Sequence, residues 1–197
     1  IRGAIEGKQE PFLYLNCLVP TALRAEGSTA GIAGLYNNTA APNQAHHQLL
    51  ADTYAKIVHQ YHASGIRRVV VGQEFQGMYW DSPGASPGVS IHYDVPRYWD
   101  IYEKAYTEVK SLHSDVKVYG PYIIFISWGS PYDTLIGGTW VATDQLTAFT
   151  DFLDRAYAAG KLDGIVFDAV FAPELWSDLL TWIRAQVQSR WGYQLPI

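Results

Sequence analysis

The stretch Val69-Val70-Val71-Gly72-Gln73-Glu74-Phe75 runs three β-branched residues into a glycine, an amide and a carboxylate. Such a run reads as a strand buried on both faces, as in a parallel sheet, with the polar residues behind Gly72 emerging at its carboxyl end. In parallel α/β architectures that end is where ligands and reacting groups gather. Glu74 is thereby placed as a general acid or base, and Gln73 beside it to orient a substrate group or the carboxylate itself. A glutamate just past a strand end is equally well an ordinary surface residue, and position alone leaves both readings open.

To either side of this strand the chain repeats one alternation. Short apolar runs cover Phe12–Val19, Arg68–Phe75, Val116–Ile126 and Leu162–Val170, and Leu195-Pro196-Ile197 reads as the start of another. Between them Leu50, Tyr54, Ile57, Val58 and Tyr61 fall at helical spacing, as do Tyr98, Tyr102, Ala105, Val109 and Leu112. Leu146, Phe149, Leu153 and Ala156 repeat the pattern behind Thr143, a cap candidate, and Asp144, which suits a helix's positive end. Pro173 stands where a further helix would begin, ahead of Leu175, Leu179, Trp182, Ile183 and Gln186. Strand, helix, strand, helix predicts a parallel sheet. The three later strands are expected to be parallel and adjacent in chain order, joined by right-handed crossovers.

The fold class expected is α/β, a TIM-type (β/α)8 barrel of which this chain carries only part, as a single domain over residues 1–197. A complete barrel takes about 250 residues, and the abrupt ends predict that these residues belong to a longer chain or assembly. A doubly wound sheet is the other arrangement, but Gly72 and Gly77 do not make the dinucleotide-binding fingerprint.

Composition excludes several function classes. Hydrophobic residues at 48% against 17% charged describe a globular chain, and no apolar stretch is long enough to span a membrane. A net charge of −5, with no basic cluster beyond Arg67-Arg68, argues against a nucleic-acid partner. The single Cys17 excludes an internal disulfide framework and a cysteine-rich zinc site. Fourteen Tyr and seven Trp are many for this length. Such rings stack on sugars with their polar tips free to hydrogen-bond, or they pack a core or an interface.

The segments Gly65-Ile66-Arg67-Arg68-Val69-Val70-Val71-Gly72-Gln73-Glu74-Phe75, Tyr98-Trp99-Asp100-Ile101-Tyr102 and Asp115-Val116-Lys117-Val118-Tyr119-Gly120-Pro121 together resemble the middle of clan A glycoside hydrolases. In that group a Gly-Asn-Glu-Pro-like turn ends barrel strand four and carries the acid/base. The resemblance implies that role for Glu74, with Gln73 standing for the usual Asn and Phe75 for the usual Pro. It also implies a nucleophilic Glu just beyond Ile197. The Tyr119-Gly120-Pro121-Tyr122 run and the segment Asp163–Asp168 are similar to glycosidase-like domains in minor tail proteins of phages that infect actinobacteria. That second resemblance implies a wall-sugar target, an extracellular or virion-surface location, and a barrel that binds carbohydrate without turnover.

Asp168 is the second candidate carboxylate. Asp163-Gly164-x-x-x-Asp168-Ala169 is similar to the nucleophile strand of amylase-like glycosidases, and two carboxylates can divide the acid and nucleophile roles when their environments separate their pKa values. As a structural residue Asp168 would cap the next helix or pair with a cation. Tyr79, Trp80 and His92, in the Gly- and Pro-rich loop after Glu74, with Tyr122 and Trp128 from the next strand and its loop, complete the expected carbohydrate-binding rim. Each of these could instead pack its loop down. No cofactor is expected. His59, His62 and His113 lack carboxylates at ligand spacing along the chain, so no metal site is predicted, and His59 and His62 read as helix-surface residues.

Overall fold

A computed structural model of the chain describes residues 11–15, 42–72, 95–125, 140–169 and 176–197. The elements are β1 (Phe12–Leu15), a 3-10 turn (Gln44–His46), α1 (His47–His62), β2 (Arg68–Val71), α2 (Val95–Leu112), β3 (Lys117–Tyr119), β4 (Ile123–Phe125), α3 (Trp140–Ala159), β5 (Phe167–Ala169) and α4 (Trp176–Trp191). Among the described residues all strand pairs are parallel. β1, β2 and β3 lie side by side, with Tyr14, Val70 and Tyr119 in register. β4 pairs with β5, and a parallel bridge from Tyr119 to Gly164 joins the two pieces. The expected order of the strands is therefore the observed one. Beyond them the Ile165 N–H donates to the Pro196 carbonyl at 2.7 Å, so Leu195–Ile197 runs beside the last strand with a single ladder-like bond and is not itself a strand.

The run Val116–Ile126, read from sequence as one strand, is two. Proline cannot donate to a ladder, and the break falls at Gly120-Pro121. From Tyr119 to Ile123 this side advances four residues, while its partner advances three, from Gly164 to Phe167. The extra residue makes a bulge, which reverses the alternation of side chains across the sheet. Before it, Tyr119 faces away from the helices, whereas a Cβ on Gly120 would press on the rings of Tyr102 and Phe152 of the helical layer. After it, Ile123 and Phe125 are the helix-facing residues, buried in the same core, with Phe125 edge-on to Phe149 at 5.7 Å. In an unbroken ladder of the same sequence Tyr122 would share the face of Gly120. The bulge turns it to the other side.

The core lies between this sheet and the helices. Leu15, Val69, Val71 and Val118 point into it from the strands, and Leu50, Tyr54, Val58, Tyr98, Tyr102, Val109, Phe149, Leu153, Leu179 and Ile183 meet them from the helices. The helical spacing seen in sequence thus marks the buried stripes, with Tyr61 and Leu112 left exposed at the helix ends. Phe152 sits against Tyr98, Trp99 and Tyr102 at 5.6, 5.7 and 5.0 Å between ring centres. Much of the aromatic surplus is spent on this packing. α3 starts at Trp140, so Thr143 lies inside the helix and is not its cap. The last predicted helix is α4, described from Trp176 to Trp191, while Pro173 and Leu175 lie outside the described residues. Two polar contacts tie α1 to α2: fully buried His47 shares a hydrogen between Nδ1 and Asp100 Oδ2 at 2.7 Å, with Lys104 pairing with the other oxygen, and at the surface the Gln48 amide donates to Glu108 Oε1 at 3.0 Å. No helix among the described residues is long and apolar enough to cross a membrane.

Candidate functional site

The face of the sheet turned away from the helices carries Phe12, Tyr14, Val70 and Tyr119, in strict alternation with the core-facing residues. Phe12 and Tyr14 remain 39% and 49% exposed, and with Arg68, Tyr119 and Ile197 they line an open cavity of about 250 Å³. Toward the carboxyl ends of the strands three polar tips converge on this face. Asp168 is in register with position 124, between the helix-facing Ile123 and Phe125, and so points to the opposite side with Tyr122. The Tyr122 hydroxyl donates to Asp168 Oδ2 at 2.7 Å, and the Tyr14 ring lies 5.7 Å from that of Tyr122. Asp168 is exposed. A phenol donating to an accessible carboxylate, beside a second phenol with its face open, can accept and donate to hydroxyl groups and can stack on the apolar face of a sugar ring.

The way β2 ends governs where Glu74 begins. The Gly72 N–H continues the ladder to the Leu15 carbonyl at 3.0 Å, after which its backbone turns to φ 79°. That conformation is open to glycine at little cost and strains other residues. The Tyr98 ring covers the spot a Cβ would occupy, at 3.1 Å, while the Tyr98 hydroxyl donates to the Val71 carbonyl at 2.7 Å. The last strand residue is thus pinned from α2, and the chain leaves the ladder at a defined point one residue before Gln73.

Of the residues predicted for the site, Tyr122 and Asp168 are brought together. Glu74, Gln73, Tyr79, Trp80, His92 and Trp128 lie outside the described residues. Asp168, inside the predicted run Leu162–Val170, is the middle residue of β5. Asp163, the other acidic residue of that motif, has a structural part: its Oδ2 accepts from the Val118 N–H at 2.9 Å and pairs with Lys110 at 2.8 Å, stitching the amino ends of neighbouring strands. Tyr14 was missed. Its signal was present in the parity of Phe12 and Tyr14 within one run, but the sequence could not say which parity faced the helices.

No protein-family model matches this chain, and no curated protein matches it. Solved structures do. A GH39 β-xylosidase from Caulobacter crescentus superposes with a TM-score of 0.60 at 15% identity, and the GH39 enzyme from Xanthomonas axonopodis pv. citri with 0.59 at 16%. A monomeric β-xylosidase from Caulobacter crescentus gives 0.59 at 14%. In each case 98% of this chain is covered and 36% of the other, so the chain spans about a third of the length of these enzymes. The alternating parallel β/α units match about a third of a GH39 enzyme's barrel. At this identity the likeness is one of fold.

Proposed function

We propose that this chain carries the carbohydrate-binding and proton-transferring part of a glycoside hydrolase barrel. The observation that carries the reading is the Tyr14, Tyr122 and Asp168 cluster on the inner face, near the carboxyl ends of parallel strands, in a fold similar to that of β-xylosidases. Glu74, three residues beyond the pinned end of β2, is the proton donor to the leaving oxygen and the base that activates water in the return step. Gln73 orients it. Asp168, held by Tyr122, accepts a sugar hydroxyl, and Tyr14 offers the ring on which the sugar rests. Trp80 and Trp128 extend that platform from the loops, with Tyr79 and His92 supplying polar tips. The target is an extracellular polysaccharide.

The test uses the full-length polypeptide on aryl β-xylosides, xylan and wall polysaccharides, with binding followed separately. Glu74→Gln keeps shape but removes the transferable proton, so hydrolysis of poor leaving groups should fall by about 10²–10⁴-fold while sugar binding survives. Asp168→Asn and Tyr122→Phe should raise KM more than they lower kcat. A kcat loss for Asp168→Asn as deep as that of Glu74→Gln would move Asp168 from binding to the reacting atoms, as its pairing with Glu74 in the sequence suggested. Equal hydrolysis by wild type and Glu74→Gln rejects the acid role. Binding without any cleavage by the wild type would instead establish the non-catalytic barrel, of which a phage tail domain is one form.

A further inference from the structure

Half of the chain's six histidines meet in one corner, at the edge of the sheet opposite to the carbohydrate face. His59 and His62 are three apart on the last turns of α1, a spacing that puts both on one face of a helix. His113 and Asp115 come from the turn between α2 and β3, more than fifty residues away. His62 Nε2 lies 3.0 and 3.1 Å from the two oxygens of Asp115, and the rings of His62 and His113 stack with centres 3.8 Å apart. One ligand atom from each of His62, His113 and Asp115 falls within 4.8 Å of the others. His113 Nε2 is 3.0 Å from His59 Nδ1, which leaves its Nδ1 as the nitrogen not taken up by that bond. Arg67 Nε sits 2.8 Å from Asp115 Oδ2 and is the cation of this corner; it leaves Oδ1 facing His62.

We infer that this corner binds a borderline divalent transition metal, zinc being the first choice, through His62, His113 and Asp115, with His59 holding the His113 ring from behind. Two imidazoles and a carboxylate form a donor set suited to zinc, and a metal-bound histidine characteristically engages a partner through its other nitrogen. Nitrogens bound to one zinc at about 2.1 Å stand roughly 3.4 Å apart. To present both nitrogens to one metal the His62 and His113 rings must turn out of their parallel stack, and both side chains are half-buried while Asp115 is exposed. The carboxylate invisible at ligand spacing along the chain is supplied by the fold. A metal here joins the carboxyl end of α1 to the turn that feeds β3, so its part is to brace the barrel wall. The hydrolytic chemistry stays at the other edge.

Titration calorimetry of the full-length polypeptide with zinc chloride, after treatment with chelator, should show one zinc per chain bound at this corner. His62→Ala and His113→Gln should each weaken binding by at least tenfold, and His59→Ala by about 10–100-fold as an outer partner. His46→Ala, at the opposite end of α1, should change nothing. Cobalt in place of zinc should give visible ligand-field absorption that disappears in His62→Ala. Each variant must match the wild-type circular dichroism in chelator, and Glu74-dependent hydrolysis should be the same with and without metal. No zinc uptake by the wild type, or uptake unaltered by His62→Ala and His113→Gln, overturns the assignment.

Discussion

Gly72 does three things that no other residue type could do together. It donates to Leu15, turns through a positive φ and lets the Tyr98 ring approach where a side chain would stand. Gly72→Ala meets both the backbone strain and a ring 3.1 Å from the new methyl, so it should destabilise the fold by about 1–3 kcal/mol, read as a lower urea midpoint at unchanged slope. Tyr98→Phe removes only the hydroxyl bond to the Val71 carbonyl and should cost about 1–3 kcal/mol, because a buried acceptor is left without its donor. If Glu74 is the proton donor proposed above, both variants should also lower hydrolysis by the full-length polypeptide. The glycine was visible in the sequence as the end of a strand. Its backbone conformation and the tyrosine that demands it, twenty-six residues on, were not.

Between elements, the contact of His47 with Asp100 gives the pairing of α1 and α2 a pH dependence. Burial pushes the His47 imidazole below its ordinary 6.5, against the pull of Asp100 and of the Pro42 backbone toward the charged form. For Asp100 burial acts upward, but the hydrogen bonds from Lys104 and His47 outweigh it and hold the carboxyl below its ordinary 3.8. With a folded pKa below 6.5, His47 takes up its proton in the unfolded chain first, so its share of stability is complete above 6.5 and is lost as pH falls below it. Asp100 acts in the same direction in a lower window, with its contribution present above 3.8 and lost beneath. Urea midpoints measured from pH 8 to pH 5 should therefore fall toward acid, and His47→Gln, which keeps a donor for Asp100 without titrating, should show a shallower fall. An equal slope in both proteins would place the acid sensitivity elsewhere. The buried face of α1 could be read from Leu50, Tyr54 and Val58, whereas the partner of His47 lies 53 residues away and only packing reveals it.

Across the whole molecule, Phe152 is where the layers lock: it touches three aromatic rings of α2 and stands beneath Gly120, at the bulge that turns Tyr122. Phe152→Ala should cost about 3–5 kcal/mol. Tryptophan fluorescence and far-ultraviolet circular dichroism should shift together, since the cavity spans the helical layer and the sheet; separate transitions would mean that the two parts of the sheet unfold independently. The order of parallel strands and the helical stripes were legible in the chain because they rest on periodicity, which short windows of sequence contain. The β-branched run at Val69–Val71 and the spacing of Tyr98, Tyr102 and Val109 are local facts, and burial follows from them. What tertiary structure alone decided depends on distance and on parity. The bulge at Gly120-Pro121 reverses which side chains face inward, so that Tyr122 meets Asp168 and Tyr14, and the turn before β3 carries His113 and Asp115 to His62. A side chain's type is written in the sequence, but which face it presents and which remote group it meets depend on the count of residues between ladder bonds and on how the packed layers return the chain.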